Sequence, residues 1–228
     1  MSYVFHFNTV LDHLPELLDG AWLTVRLSAV SMVLGLAVAV AFAYAQMAGP
    51  KPLRWFVGSY IELIRNTPFL VQIFIVYFSL PALGIRLDAD HAALVAMVAN
   101  LSAYATEIVR SGIDAIPQGQ IEAARALGLK RFYIFRFIII FPAIKSVFPA
   151  LASQFILLLL GSSVVSAISA VELTAITNSL QSTTFRPFEF YFVAMGLYLL
   201  MALGFRAALG AVYWFAFVRG RAAAGRTA

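Results

Sequence analysis

The sequence predicts an all-α protein that crosses a membrane five times, and three observations predict it. Of its 228 residues, 62% are hydrophobic and only 12% charged, where soluble domains average roughly half and a quarter. Mean hydropathy is +0.88, too high for a solvated globule of this length. The apolar residues gather into five stretches, 21–44, 56–80, 89–109, 147–168 and 190–217, each near the ~20 residues that a helix needs to cross hydrocarbon. Charge, Pro or Gly bounds each stretch, and 1–228 reads as one transmembrane domain.

The basic residues set an orientation. Lys51, Arg54, Arg65, Arg110, Arg125, Lys130, Arg131, Arg136, Lys145, Arg219, Arg221 and Arg226 fall on one side of the five spans; the other side holds Arg86 and Arg186, and Arg26 and Arg206 lie within spans. Positively charged loops are retained in the cytoplasm, so the N-terminus is expected outside and the C-terminus cytoplasmic. The net charge of +5 and pI near 9.7 are explained by these loops. No RNA-recognition or helix-turn-helix pattern accompanies them, so no nucleic-acid partner is expected. The first 20 residues carry Asp12, Glu16 and Asp19 and no Lys or Arg. They lack the basic start of a cleavable signal peptide, and the first span is expected to stay attached. There is no Cys, which excludes disulfides and thiolate metal sites.

Taken in order, span 1 carries Ser31, Gly35, Ala39 and Ala43 at four-residue intervals, a small-residue ridge on which another helix can pack closely. In span 2, Glu62 and Arg65 are spaced to form an ion pair. Thr67 and Pro68 mark a kink and a possible gate or hinge, and Gln72 lies deeper. Span 3 contributes Asn100, Tyr104 and Glu107, and span 4 contributes Gln154, Ser162 and Ser163. Polar groups inside a span are costly and face protein or a watery path, so Gln72, Asn100, Tyr104, Glu107, Gln154 and Ser162 are the translocation-path candidates. For Gln72 and Asn100 the alternative is interhelical hydrogen bonding; for Glu107 it is pairing with Arg110. Gly204 and Ala208 make a second small-residue pair in span 5. On the outer face Asp88, Asp90, Glu172, Arg186 and Glu189 form a possible docking surface. The tail 222–228 is low in complexity and expected to fray.

The longest cytoplasmic segment, 110–146, differs from the apolar runs around it. Pro117 can open a helix and Gly128 can close it with a left-handed C-cap, predicting two to three turns between them. Ala123, Ala124 and Ala126 keep that helix slim, Glu122 and Arg125 are spaced to pair, and Ile121 and Leu127 offer apolar anchors. Such a helix suits docking in a groove.

Glu122-Ala123-Ala124 followed by Gly128 resembles the EAA loop of ABC-importer permeases. The stretch from Asn100 to Ala124, and Arg65-Asn-Thr-Pro-Phe-Leu-Val-Gln72, resemble the version carried by the polar amino-acid uptake group, which includes histidine-, glutamine- and glutamate-type permeases. The resemblance covers most of 15–217. It implies an ABC type I importer permease fold, with Glu122, Ala123, Ala124 and Gly128 on a coupling helix that enters a cleft of an ATPase subunit. It also implies an ABC ATPase dimer, a second permease subunit, an external amino-acid-binding protein and an amino-acid substrate as partners, in a bacterial inner membrane. Two departures stand out. Ile139-Ile-Phe-Pro142 comes one residue later than the family's Ile-x-Leu-Pro element, which predicts a local bulge. Span 4 reads Ser153 to Ser163 without the acidic residue and Lys-Asp-Thr-Ser-like run of many members, so no particular amino acid is carried over.

No Gly-x-x-x-x-Gly-Lys-Ser/Thr phosphate loop occurs, so ATP and Mg are expected only on the partner and no cofactor on this chain. His6, His13 and His91 lack metal-ligand spacing, no nucleophile-His-acid set is evident, and an enzyme is not expected. The competing reading is a stand-alone secondary transporter or channel subunit. Paired repeats with broken helices, or a filter-like segment, would mark it, and neither is visible.

Overall fold

The computed structural model describes residues 3–219, and Arg221, Arg226 and the tail 222–228 lie outside the described residues. Ten α-helices follow one another among the described residues: α1 Phe7–Asp12, α2 Leu14–Ala48, α3 Lys51–Arg65, α4 Phe69–Phe74, α5 Ala89–Asp114, α6 Gln118–Ala126, α7 Arg131–Tyr133, α8 Phe141–Gly161, α9 Leu173–Thr184 and α10 Pro187–Tyr213. No strand occurs among the described residues. Four apolar helical runs are long enough to span a bilayer, and α3 with the α4 segment makes a fifth, broken one.

The central packing is α2 against α5, with α8 packed on both. Small residues make it possible. Ser31, Gly35, Ala39 and Ala43 are all buried, and the Leu101 side chain lies so close that a Cβ on Gly35 would stand 2.8 Å from it. Gly112 is tighter still, 2.2 Å from Val147 Cγ1 by the same construction. Ala93, Ala96, Met97 and Ala105 of α5 then share one core with Val147, Leu151, Phe155 and Leu159 of α8. Gly204 and Ala208 meet no such neighbour: open space surrounds Gly204, and both residues are exposed.

A second core lies at the other end. α2 has 35 residues, about 50 Å at 1.5 Å per residue, which exceeds the ~30 Å of hydrocarbon. Its N-terminal turns meet α1, α9 and the start of α10 through Val10, Leu17, Ala21, Leu173, Leu180 and Phe190. The chain segment 3–6 is fastened there as well: Glu189 accepts hydrogen bonds from the Tyr3 hydroxyl and from the His6 backbone N–H at 3.0 Å.

The helices outrun the hydropathy-based spans, because helical hydrogen bonding continues past the last apolar residue. The 21–44 and 89–109 spans extend to 14–48 and 89–114. The 190–217 span becomes α10 and its π-helical continuation to Val218. The 147–168 span begins much earlier. α7, a π-helical stretch Ile134–Ile140 and α8 run on to a 3-10 turn ending at Ile168, so the 110–146 segment is helical at both ends. Its π turns lie immediately before Pro142; a π turn accommodates one extra residue, as the late Ile-x-Phe-Pro element predicts.

Span 2 needs the largest correction. It is not one helix over 56–80. The axis bends by 113° between α3 and the segment Phe69–Leu83. Pro68 has no N–H to continue the ladder and disfavours helical geometry at Thr67 before it. The second part passes from α4 through π turns at Ile75–Ser79 into a 3-10 turn at Leu80–Leu83. Gly84 ends it at φ 83°.

Candidate functional site

The predicted surface helix is α6. Pro117 stands at its N-cap in extended geometry, and Gly128, at φ 72°, reverses the chain beyond its end. The Gly128 N–H donates to Arg125 O at 2.9 Å, and the Leu129 N–H to Ala124 O at 3.2 Å, the paired bonds of a Schellman close. Ala124 is the buried residue of the helix, which packs on the π-helical stretch Ile134–Ile140. Glu122 and Ala123 face outward. Leu127 is not an anchor within the chain: it is 81% exposed, an apolar knob at the end of a helix. Glu122 and Arg125 do not pair. The ion pairs nearby run from Arg65 and Arg110 to Glu107, at 3.3 and 3.6 Å.

The break in span 2 gathers several other candidates. Removing the N–H at Pro68 frees the Ile64 carbonyl. Gln72 Nε2 takes over that role, donating to Ile64 O at 2.7 Å, Thr67 O at 3.0 Å and Thr67 Oγ1 at 3.1 Å. Its own Oε1 accepts from Asn100 Nδ2 at 3.0 Å, which ties the break to α5. Thr67 Oγ1 donates to Leu63 O at 2.8 Å. Tyr104 caps the same turn, its hydroxyl donating to Arg65 O at 3.4 Å while the Arg65 guanidinium lies 5.6 Å from its ring centroid. Arg65 does not pair with Glu62, because its fork reaches across to Glu107 and Glu62 accepts from Asn66 Nδ2 at 2.9 Å instead. Thr67, Pro68, Gln72, Asn100, Tyr104 and Glu107 therefore form one connected neighbourhood. On α8, Gln154 is half-buried. Ser162 is buried and donates to Leu159 O at 2.7 Å within its own helix; α4 packs on the 3-10 turn that it opens.

The five outer charges divide: Asp88 and Asp90 are exposed and Arg186 is half-buried, but two are not surface groups. Glu172 and Glu189 are fully buried. Glu172 caps α9, accepting from the Ala175 N–H at 2.7 Å and from the Tyr198 hydroxyl of α10 at 2.6 Å. Thr24 of α2 completes the junction by accepting from the Leu173 N–H at 3.0 Å. Burial raises the Glu172 carboxyl above its ordinary value, against the opposing hydrogen bond from Tyr198. Asp88 caps α5 through the His91 N–H at 2.8 Å, and that bond, helped by the His91 ring, holds its carboxyl below the ordinary value. Asp90 Oδ1 accepts from the Val171 N–H at 3.0 Å, and Arg186 pairs with Glu189 at 3.7 Å. No group of three His, Cys, Asp or Glu fit to hold a metal exists among the described residues.

Residues 31–215 match the family described as binding-protein-dependent transport system inner membrane component. The chain belongs to that family. As a permease of this kind it has curated relatives along nearly its whole length. It is 33% identical to the probable glutamine ABC transporter permease GlnM of Bacillus subtilis, over 86% of this chain and 91% of that protein. It is 31% identical to the nopaline permease NocM of Agrobacterium fabrum, over 96% and 95%. A crystal structure of an amino acid ABC transporter with histidines matches at a TM-score of 0.85 and 36% identity, covering 92% of this chain and 99% of that one. An inward-facing MetNI methionine transporter matches in fold, at a TM-score of 0.71 and 20% identity. The fold is that of an ABC type I importer permease, and this membership displaces the stand-alone carrier or channel reading.

Sequence reasoning missed two features of this permease. The Glu172–Tyr198–Thr24 junction joins residues far apart in the chain, and it had no local sign, since Glu is not among the residues favoured at an N-cap. The role of Gln72 as a splint was signalled by its place four residues after Pro68.

Proposed function

We propose that the chain is the membrane-spanning subunit of an ATP-driven importer of polar amino acids in a bacterial inner membrane, working by alternating access. The observation that carries this is α6, a short helix closed by Gly128, with Glu122, Ala123 and the Leu127 knob presented outward. In this reading α6 enters a cleft of the ATPase dimer on the cytoplasmic side, with the N-terminus outside and the C-terminus within. ATP and Mg belong to the ATPase, and this chain has no catalytic residue.

Two permease subunits, identical or paralogous, face each other, since one broken and four continuous spans are too few to enclose a path. A binding protein delivers the amino acid from outside. The bent second span lies along the path, with Gln72, Asn100, Tyr104, Glu107, Gln154 and Ser162 as its polar lining and Thr67–Pro68 as the hinge. Relatives for glutamine, nopaline and, at 31% identity, arginine support a polar amino-acid substrate. The test is amino-acid-stimulated ATP hydrolysis in liposomes holding this chain, its ATPase and its binding protein. Stimulation is expected in the native complex and lost in Gly128→Val, whose branched side chain is excluded from left-handed geometry. Gradient-driven uptake by this chain without any ATPase would overturn the proposal.

A further inference from the structure

A cavity of about 560 Å³ opens between the C-terminal end of α2, the start of α3 and the C-terminal half of α5. Lys51, Arg54 and Arg110 line it together with Gln46 and Trp55. Their pairing differs. Arg110 Nη1 donates to Gln46 Oε1 at 2.7 Å, and its guanidinium is shared between Glu107 and Asp114, each at 3.6 Å. Lys51 and Arg54 are exposed and take part in none of the ion pairs among the described residues. Both stand in the first turn of α3, where no side chain caps the helix and the helix dipole adds positive character. Glu62 and Glu107 also line the cavity, Glu107 paired with Arg110 and Arg65.

We propose that this cavity binds the phosphate headgroup of an anionic phospholipid, with Lys51 and Arg54 as its ligands. Charge complementarity calls for an anion, and the surroundings call for a lipid. Trp55 is 75% exposed and Phe56 61% exposed, directly beside the two cations on an amphipathic helix. A free anion would leave those rings in water. A glycerophospholipid covers them with its acyl chains while its phosphate meets the cations, as interfacial basic-aromatic helices do. Arg110 is already engaged by Gln46, Glu107 and Asp114, which leaves Lys51 and Arg54 as the lining cations outside the ion pairs among the described residues. The leaflet is the cytoplasmic one, and this part rests on the orientation proposed above.

Native mass spectrometry of the purified full-length chain, titrated with phosphatidylglycerol or phosphatidylcholine, tests the site. One phosphatidylglycerol per chain is expected to bind in preference to phosphatidylcholine. Each basic residue near an anionic surface contributes roughly fivefold, so Lys51→Gln/Arg54→Gln weakens that binding about thirtyfold. Arg86→Gln, which removes one positive charge on a distant loop, leaves it unchanged, and Trp55→Ala weakens both lipids. Equal retention of the two lipids, or unchanged binding by the double variant, would refute the site. Displacement by millimolar inorganic phosphate would refute the lipid and leave a free-anion site. The assay has no sidedness and no ATPase, so its failure leaves the transport reading intact, and failed coupling with lipid retained sinks that reading alone.

Discussion

A methyl group added at Gly128 would meet no atom within 4 Å, yet the residue sits at φ 72°, where a β-carbon costs about 1–2 kcal/mol. The cost is one of conformation, not of space. Gly128→Ala is therefore expected to fray the α6 end and lower ATPase stimulation, while Gly128→Asn, which tolerates left-handed geometry, retains most of it. Gln72 works differently. Gln72→Ala leaves the Ile64 carbonyl and the Asn100 amide unpaired, a loss of about 1–3 kcal/mol that thermal unfolding in detergent would read. Glu172 adds a pH dependence. Burial raises its carboxyl, so the fold favours the neutral form, and stability is regained as pH falls from above its folded value toward the ordinary carboxylate range. Glu172→Gln should flatten that rise. Glu172→Ala should instead lose about 1–3 kcal/mol by orphaning the Ala175 N–H and the Tyr198 hydroxyl; equal effects of the two variants would count against the buried cap. At this scale Gly128 was legible because a C-cap is local. Glu172 was not, because a carboxylate in a polar inter-span run looks the same whether buried or solvated.

Among elements, the small-residue ridges show why a sequence pattern needs a partner to acquire meaning. Ser31-Gly35-Ala39-Ala43 and Gly204-Ala208 look alike in sequence, but α5 lies on the first, and open space lies beside the second. Gly35→Ala should destabilise the chain by about 1–3 kcal/mol through overpacking against Leu101. Gly204→Ala should instead raise the unfolding temperature of the isolated chain slightly, since Ala is favoured over Gly in a helix interior by about 0.5–1 kcal/mol. Comparing both by thermal unfolding checks this, and equal losses would mean that α10 packs within the chain. Four spans were legible as helices because hydropathy reports length and apolarity. The break in the fifth was half legible: Pro68 marked its place, but hydropathy carries no direction, and a 113° bend leaves the apolar count of 56–80 unchanged.

Over the whole molecule, one end is stitched by side chains and the other is built for contact. The α9 end is closed by buried carboxylates and hydroxyls. The α6 end presents Leu127 and the cations around it. α10 exposes most of its length, including Met195, Leu199, Leu200 and Leu203, a surface that lipid or a second permease covers. On the proposed pairing, Gly204→Leu is expected to weaken association of two permease subunits, measured by light scattering of the purified complex. An unchanged mass would place that face in lipid.

The fastening of segment 3–6 by Glu189 also has a consequence in time. His6 and Glu189 are 183 positions apart. At about 5–20 residues per second, a ribosome that has just released the first of them needs roughly ten to forty seconds to make the second. Through that interval Tyr3, Phe5 and Phe7 have no α10 to settle on, and a chain interrupted before its last span never closes this join. Segment 3–6 is thus secured only after synthesis has reached the start of α10.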